Sequence, residues 1–131
     1  MAKQAPSMDQ WLEEAKAAES APRCGMYLVH NGVVRELPKK LVRQGIDDGS
    51  KVTGMNFSYD AEAVAAAEKE TLKMEGIEYV RTWLNEGHLE VGDPIMYVLI
   101  GGDIRPHVID ALQALVGKIK NELVNEIEVS D

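Results

Sequence analysis

The sequence predicts an α+β domain, a mainly antiparallel sheet packed against helices, from three observations. Short apolar runs with β-branched and aromatic members, such as Ile95 to Ile100, read as buried strands too short to be helices. Apolar residues at three- and four-residue steps, clearest in Val108, Leu112, Leu115, Val116, Ile119 and Leu123, read as one face of a helix. The order is helix, strand, loop, strand, helix, strand, short strand, strand, helix, so strands come partly in hairpin-like pairs and the helices are expected on one face. With 131 residues, the chain 1–131 is assigned to a single domain large enough for a real hydrophobic core.

Each element has a local justification. Ser7 opens an N-terminal helix over 7–19, with Gln10 three residues on as the reciprocal partner of a capping box. Met8, Trp11, Leu12 and Ala15 fall on its apolar face, and Pro22 lies in the connector that ends it. Gly25 to Arg35, GMYLVHNGVVR, is the first strand, and Gly32 inside it marks a bulge or a close backbone approach. Segment 36–51 has weak periodicity and closes on Asp47-Asp48-Gly49-Ser50, so it reads as a long basic loop or loose hairpin. Val52 to Tyr59 alternates Met55, Phe57 and Tyr59 against Gly54, Asn56 and Ser58, a second strand. Asp60 caps a helix running to about Met74, with Val64, Ala67, Thr71 and Met74 inward, and Gly76 stops it. Ile77 to Leu84 is a third strand, and Leu89 to Val91 a short extension before the Gly92-Asp93 turn. After the Ile95 to Ile100 strand, Gly101-Gly102 reads as a hinge and Asp103 as the N-cap of the last helix. The end, 121–131, is a short polar tail in which Val124 and Ile127 extend that helix or add a strand.

Composition narrows the function classes. A formal net charge of −8 argues against a general nucleic-acid binder, which would carry a basic face. One cysteine, Cys24, excludes an intramolecular disulfide framework and a thiolate metal site. His30, His88 and His107 show none of the spacings of a histidine metal site, and neither a nucleophile elbow nor a phosphate loop is present. No apolar run approaches the ~18 residues of a membrane span, and the N-terminus lacks the apolar core of a signal peptide, so a cytoplasmic protein is expected.

The candidate site residues are cations. Arg35, Lys39, Lys40 and Arg43 lie within nine residues of an otherwise acidic chain, either as a solvated polar loop or as an anion-binding one. A strand that empties through glycines into a helix N-terminus is a place where anions can be held, and Arg105 sits in that first turn. Lys118 and Lys120 flank the apolar stripe near the helix's other end, where each is either a surface lysine or a functional amine.

NGVVR at 31–35, LNEGHLEVGD at 84–93 and IRPHVIDALQALVGKIK at 104–120 resemble, in order and spacing, the large, catalytic subunit of molybdopterin synthase, the MoaE-like family. The resemblance covers roughly Gly25 to Lys120. It implies a hammerhead-like α+β fold and a homodimer; no cofactor and no metal are expected. It also implies sulfur transfer from the thiocarboxylated tail of a small ubiquitin-like subunit to a cyclic pyranopterin monophosphate. Arg35 and Arg105 match the family's arginines that hold anionic groups, and Lys120 matches its reactive lysine. His107 is placed to replace a family histidine whose position is taken here by Ile104, and Lys39 and Lys40 join the substrate-binding set. A second family lysine falls at Ile127. Two other readings stand beside this one: a non-catalytic relative that binds a pterin or the ubiquitin-like partner, and a dimeric structural or regulatory domain.

Overall fold

A computed structural model of the chain describes residues 2–130. Its elements are α1 (Met8–Ala17), a 3-10 turn (Ala21–Arg23), β1 (Met26–Val33), α2 (Lys39–Gln44), β2 (Val52–Tyr59) and α3 (Ala61–Leu72). They continue with β3 (Ile77–Leu84), β4 (Gly87–Glu90), β5 (Pro94–Gly102), α4 (Arg105–Lys118), a π-helical turn (Ile119–Leu123) and β6 (Val124–Ser130). The strands form two three-stranded sheets, ordered β1-β5-β3 and β4-β2-β6. Every pairing in them is antiparallel. The α+β class and the antiparallel pairing therefore hold, divided over two sheets.

β5 is central because both of its faces are needed. Successive side chains on a strand point to opposite faces. Val98 and Ile100 accordingly join Val108, Ala111, Leu115 and Ile119 of the last helix in the main core, while Leu99 packs with Trp11 and Ala15 of α1. The expectation that the helices share one face is corrected here: α1 covers one side of the β1-β5-β3 sheet and α4 the other. Tyr97 meets Trp11 edge-on, with ring centroids 6.3 Å apart. Arg81 lies 4.6 Å from the Trp11 ring and pairs with Glu14, which fixes α1 from the solvent side.

Local signals at the helix starts are largely realised. The Ser7 hydroxyl accepts from Gln10 N at 3.3 Å. The reciprocal half of the capping box is absent, because the Gln10 side chain donates to Glu14 instead. Asp60 caps α3 through Ala63 N at 3.1 Å. Gly76, at φ 78°, turns the chain into β3.

Two segments differ from expectation, and a third resolves an open alternative. The segment 36–51 contains the helix α2, whose first amide, Lys39 N, donates to both Glu128 carboxylate oxygens at 3.2 Å. Six residues are too few to show periodicity, and the capping group comes from the far end of the chain, so no local signal announced it. In the tail 121–131 the strand alternative holds: Val124–Ser130 is β6, paired along β2 with Asn56 opposite Ile127, while 121–123 finish the π-helical turn; Asp131 lies outside the described residues. Finally, Gly101 and Gly102 are ladder residues of β5 rather than a hinge. A Cβ at Gly101 would stand 2.6 Å from the Tyr27 ring, and one at Gly102 would stand 2.6 Å from Gly76 O. Glycine is required there by close approach.

Candidate functional site

A pocket of about 200 Å³ lies where the two sheets meet the end of α4. Its floor is apolar, built from Met55 and Phe57 of β2, Ile95 and Met96 of β5, and Ile119. Its polar wall carries His30, Arg35, Lys39, Lys120, Glu126 and Glu128. Four separate segments thus deliver charged groups to one space, and β1 adds the His30 imidazole. β1 ends at a bulge at Gly32/Val33, after which Arg35 leaves the sheet toward the pocket. Ile119 is fully buried and anchors the π-helical turn, so Lys120, next in the chain, stands at the pocket rim. Single π-turns of this kind are concentrated at functional sites.

The cations of the pocket are not equivalent. Lys39 Nζ lies 3.8 Å from Glu126 Oε1, whose side chain is only 5% exposed, so the lysine's charge is largely committed to that carboxylate. Arg35 Nε is buried without a hydrogen-bond partner. An orphaned guanidinium nitrogen at a pocket wall is costly unless something supplies an acceptor. Neither Arg35 nor Lys120 belongs to an ion pair among the described residues. The pocket therefore presents two uncommitted cations around an apolar floor, a combination suited to a flat ring system bearing an anion.

His30 was not selected from the sequence as a site residue, and it lines this pocket. Burial, and after it the charge of Lys120, holds its imidazole below the usual histidine range, so the ring is neutral at neutral pH. The signal available beforehand was the strand's period of two, which sets His30 on the same face as Gly32.

Three other expected site residues lie elsewhere. Lys40 pairs with Asp48 on a neighbouring surface groove that it shares with Pro38, Arg43 and Gln44. The Lys40 ammonium holds the exposed Asp48 carboxyl well below the usual range. Arg105 is exposed at the first turn of α4, and Lys120 follows that helix's far end. Fifteen residues at helical rise separate the two by about 20 Å, too far for both to grip one small molecule within a single chain. His107 stays with Arg105. Its Nδ1 lies 2.7 Å from Asp103 Oδ1, and its Nε2 lies 3.6 Å from Glu75 Oε2. The Asp103 hydrogen bond raises the His107 pKa and in turn lowers that of Asp103. Asp103 also accepts from Ile104 N at 2.6 Å, while the N-cap position itself belongs to Ile104. Ile104 and Ile127 are 52% and 53% exposed, and neither reaches the pocket.

Among the described residues no three of His, Cys, Asp or Glu are grouped as metal ligands, and no helix is long and apolar enough to cross a membrane. Fold and site together define a two-sheet α+β domain with a cationic pocket at the end of its last helix. The chain belongs to the MoaE protein family, whose profile matches residues 3–122.

Solved structures give the same architecture at low identity. Molybdopterin synthase from Staphylococcus aureus is similar at 17% identity and TM-score 0.74, covering 98% of this chain and 88% of that one. A molybdopterin cofactor biosynthesis protein E from Burkholderia multivorans is similar at 16% identity and TM-score 0.72, covering 98% and 86%. A complex of subunits 1 and 2 of the molybdopterin-converting factor from Helicobacter pylori is similar at 14% identity and TM-score 0.65, covering 92% and 74%. No curated protein matches the chain.

Proposed function

We propose that this chain acts in molybdenum cofactor biosynthesis as the large subunit of a molybdopterin synthase, transferring sulfur from a thiocarboxylated ubiquitin-like small subunit to a cyclic pyranopterin monophosphate. Family membership supports the pathway, and the two-subunit Helicobacter pylori complex supports a small-subunit partner. The observation that carries the chemistry is the convergence of Arg35 and Lys120 on one apolar-floored pocket, with Arg35 Nε lacking an acceptor. Arginine's planar fork grips a phosphate through two parallel hydrogen bonds, and a partly desolvated lysine beside it serves as the reactive amine. The test is direct: the protein, a thiocarboxylated small subunit and the pterin precursor are mixed, and the pterin is weighed by mass spectrometry. Sulfur incorporation is expected, and an unchanged pterin mass would refute the assignment.

The proposal includes a homodimer and a cytoplasmic setting. Arg105 and His107 sit a helix length from Lys120, so they meet the same ligand only if a second copy supplies them. The exposed apolar side chains Ile104 and Ile109 beside Arg105 support such a contact. Light scattering is expected to give twice the chain mass at micromolar concentrations; the mass of one chain would count against the dimer.

A second reading has one specific observation in its favour. Ile104 and Ile127 occupy the positions where the resemblance implies a histidine and a lysine, and both point to solvent outside the pocket. A relative that binds the pterin without transferring sulfur fits that loss. Bound but unmodified pterin in the same experiment selects it.

A further inference from the structure

We infer that His30 is a titrating anion ligand of this pocket, taking up a proton when a doubly charged anion is held between Arg35 and Lys120. The inference rests on the pocket's being the anion site proposed above and adds a residue to it.

Three observations point to His30. First, it shares the pocket wall with Arg35 and Lys120. Second, the other two histidines have fixed partners: His88 Nδ1 lies 2.9 Å from Asn56 Oδ1, and His107 is bonded to Asp103. The His30 ring has no such partner among the described residues. Third, Gly32 keeps space beside the ring edge, since a Cβ there would lie 3.1 Å from His30 Nε2. The nitrogen that needs a partner is thereby left open rather than packed over.

The charges facing His30 settle the direction of the effect. The groove residues of α4 next to it, Ile109, Leu112, Gln113 and Val116, carry no charge. The π-turn contributes Lys120, and the segment after β1 contributes Arg35. From α2 comes Lys39, paired with Glu126, and β6 adds Glu128, which is bound to the first amide of α2. With the pocket empty, Arg35 and Lys120 outweigh the one carboxylate outside an ion pair, Glu128; burial first, and then the charge of Lys120, keep the imidazole neutral. A dianion reverses that local field, so the imidazolium becomes favourable and donates a charge-assisted hydrogen bond. Linkage then requires the reverse: anions bind more tightly when His30 is protonated.

Sulfate is the suitable probe, because it stays doubly charged across the range in which histidine titrates. The His30 ring is followed by proton NMR in the whole protein, free and with saturating sulfate, and sulfate affinity is measured by calorimetry at about pH 5 and about pH 8. Sulfate is expected to raise the His30 midpoint by about one pH unit, and affinity is expected to be about tenfold higher at the acid end. His30→Phe should remove the pH dependence of sulfate affinity, and His30→Gln serves as the second variant if the phenyl ring disturbs packing. In Lys120→Ala the midpoint of the sulfate-free protein should rise, since a neighbouring cation has gone. A midpoint unmoved by saturating sulfate, an affinity indifferent to pH, or no sulfate binding at all would overturn the inference. Coupled sulfate binding in a protein that transfers no sulfur would leave the inference standing and remove the enzymatic reading instead.

Discussion

Lys120→Ala should abolish sulfur transfer, while Lys118→Ala should leave it nearly intact. The two lysines are two residues apart on the same turn of chain, yet they face different spaces. Lys120 lines the pocket with Arg35 and His30. Lys118 is exposed in a shallow groove against Ala67, Glu70 and Thr71 of α3. Removing a positioned proton-transfer group typically lowers a rate by ~10²–10⁴. With Ile127 exposed on β6 and the pocket's other amine, Lys39, paired with Glu126, no uncommitted second amine stands in for Lys120 among the described residues. The loss should therefore sit at the upper end of that range, read as the rate of sulfur gain in the pterin. Complete dithiolene formation that survives the loss of Lys120 would sink this mechanism.

The second large effect is on stability. Ile100 is fully buried in the C-terminal half of β5, opposite Leu28 on one side and Val80 on the other. Its side chain belongs to the same cluster as Val108, Ala111 and Leu115 of α4. Ile100→Ala deletes three carbons where three strands and a helix meet, and the site has little freedom to collapse. The expected cost is ~2–5 kcal/mol, the range for such truncations. Urea denaturation should show a lower midpoint with an unchanged slope. A shift worth under about 1 kcal/mol would mean that the core relaxes around the gap in a way this packing does not suggest.

Where sequence reasoning succeeded, the deciding signal was local. Ser7 and Asp60 announced α1 and α3 because a capping side chain bonds within its own turn. The β5 run announced itself because a strand buried on both faces shows no alternation. It failed where the deciding contact was distant. α2 depends on Glu128, eighty-nine residues from the amide it caps. The second face of β5 depends on Trp11 folding back across the sheet, which the spacing of Trp11 cannot reveal.

The site was legible to the same degree. Arg35 and Lys120 were found through short motifs and family resemblance, and the fold brings them together. Arg105 and His107 were found by the same route, but helical rise carries them to the opposite end of α4. His30 was missed because the strand's period of two gives its face but not its neighbours; only the π-turn that follows α4 brings Lys120 to the same pocket.

The central claim is that the pocket formed by Arg35 and Lys120 holds the substrate's anionic group, and calorimetry with the pterin monophosphate tests it most directly. Arg35→Ala removes hydrogen bonds to a charged group and should weaken binding by ~1.5–3 kcal/mol, roughly ten- to over a hundredfold in affinity. Equal binding by the native protein and Arg35→Ala, or no binding by the native protein, would contradict it.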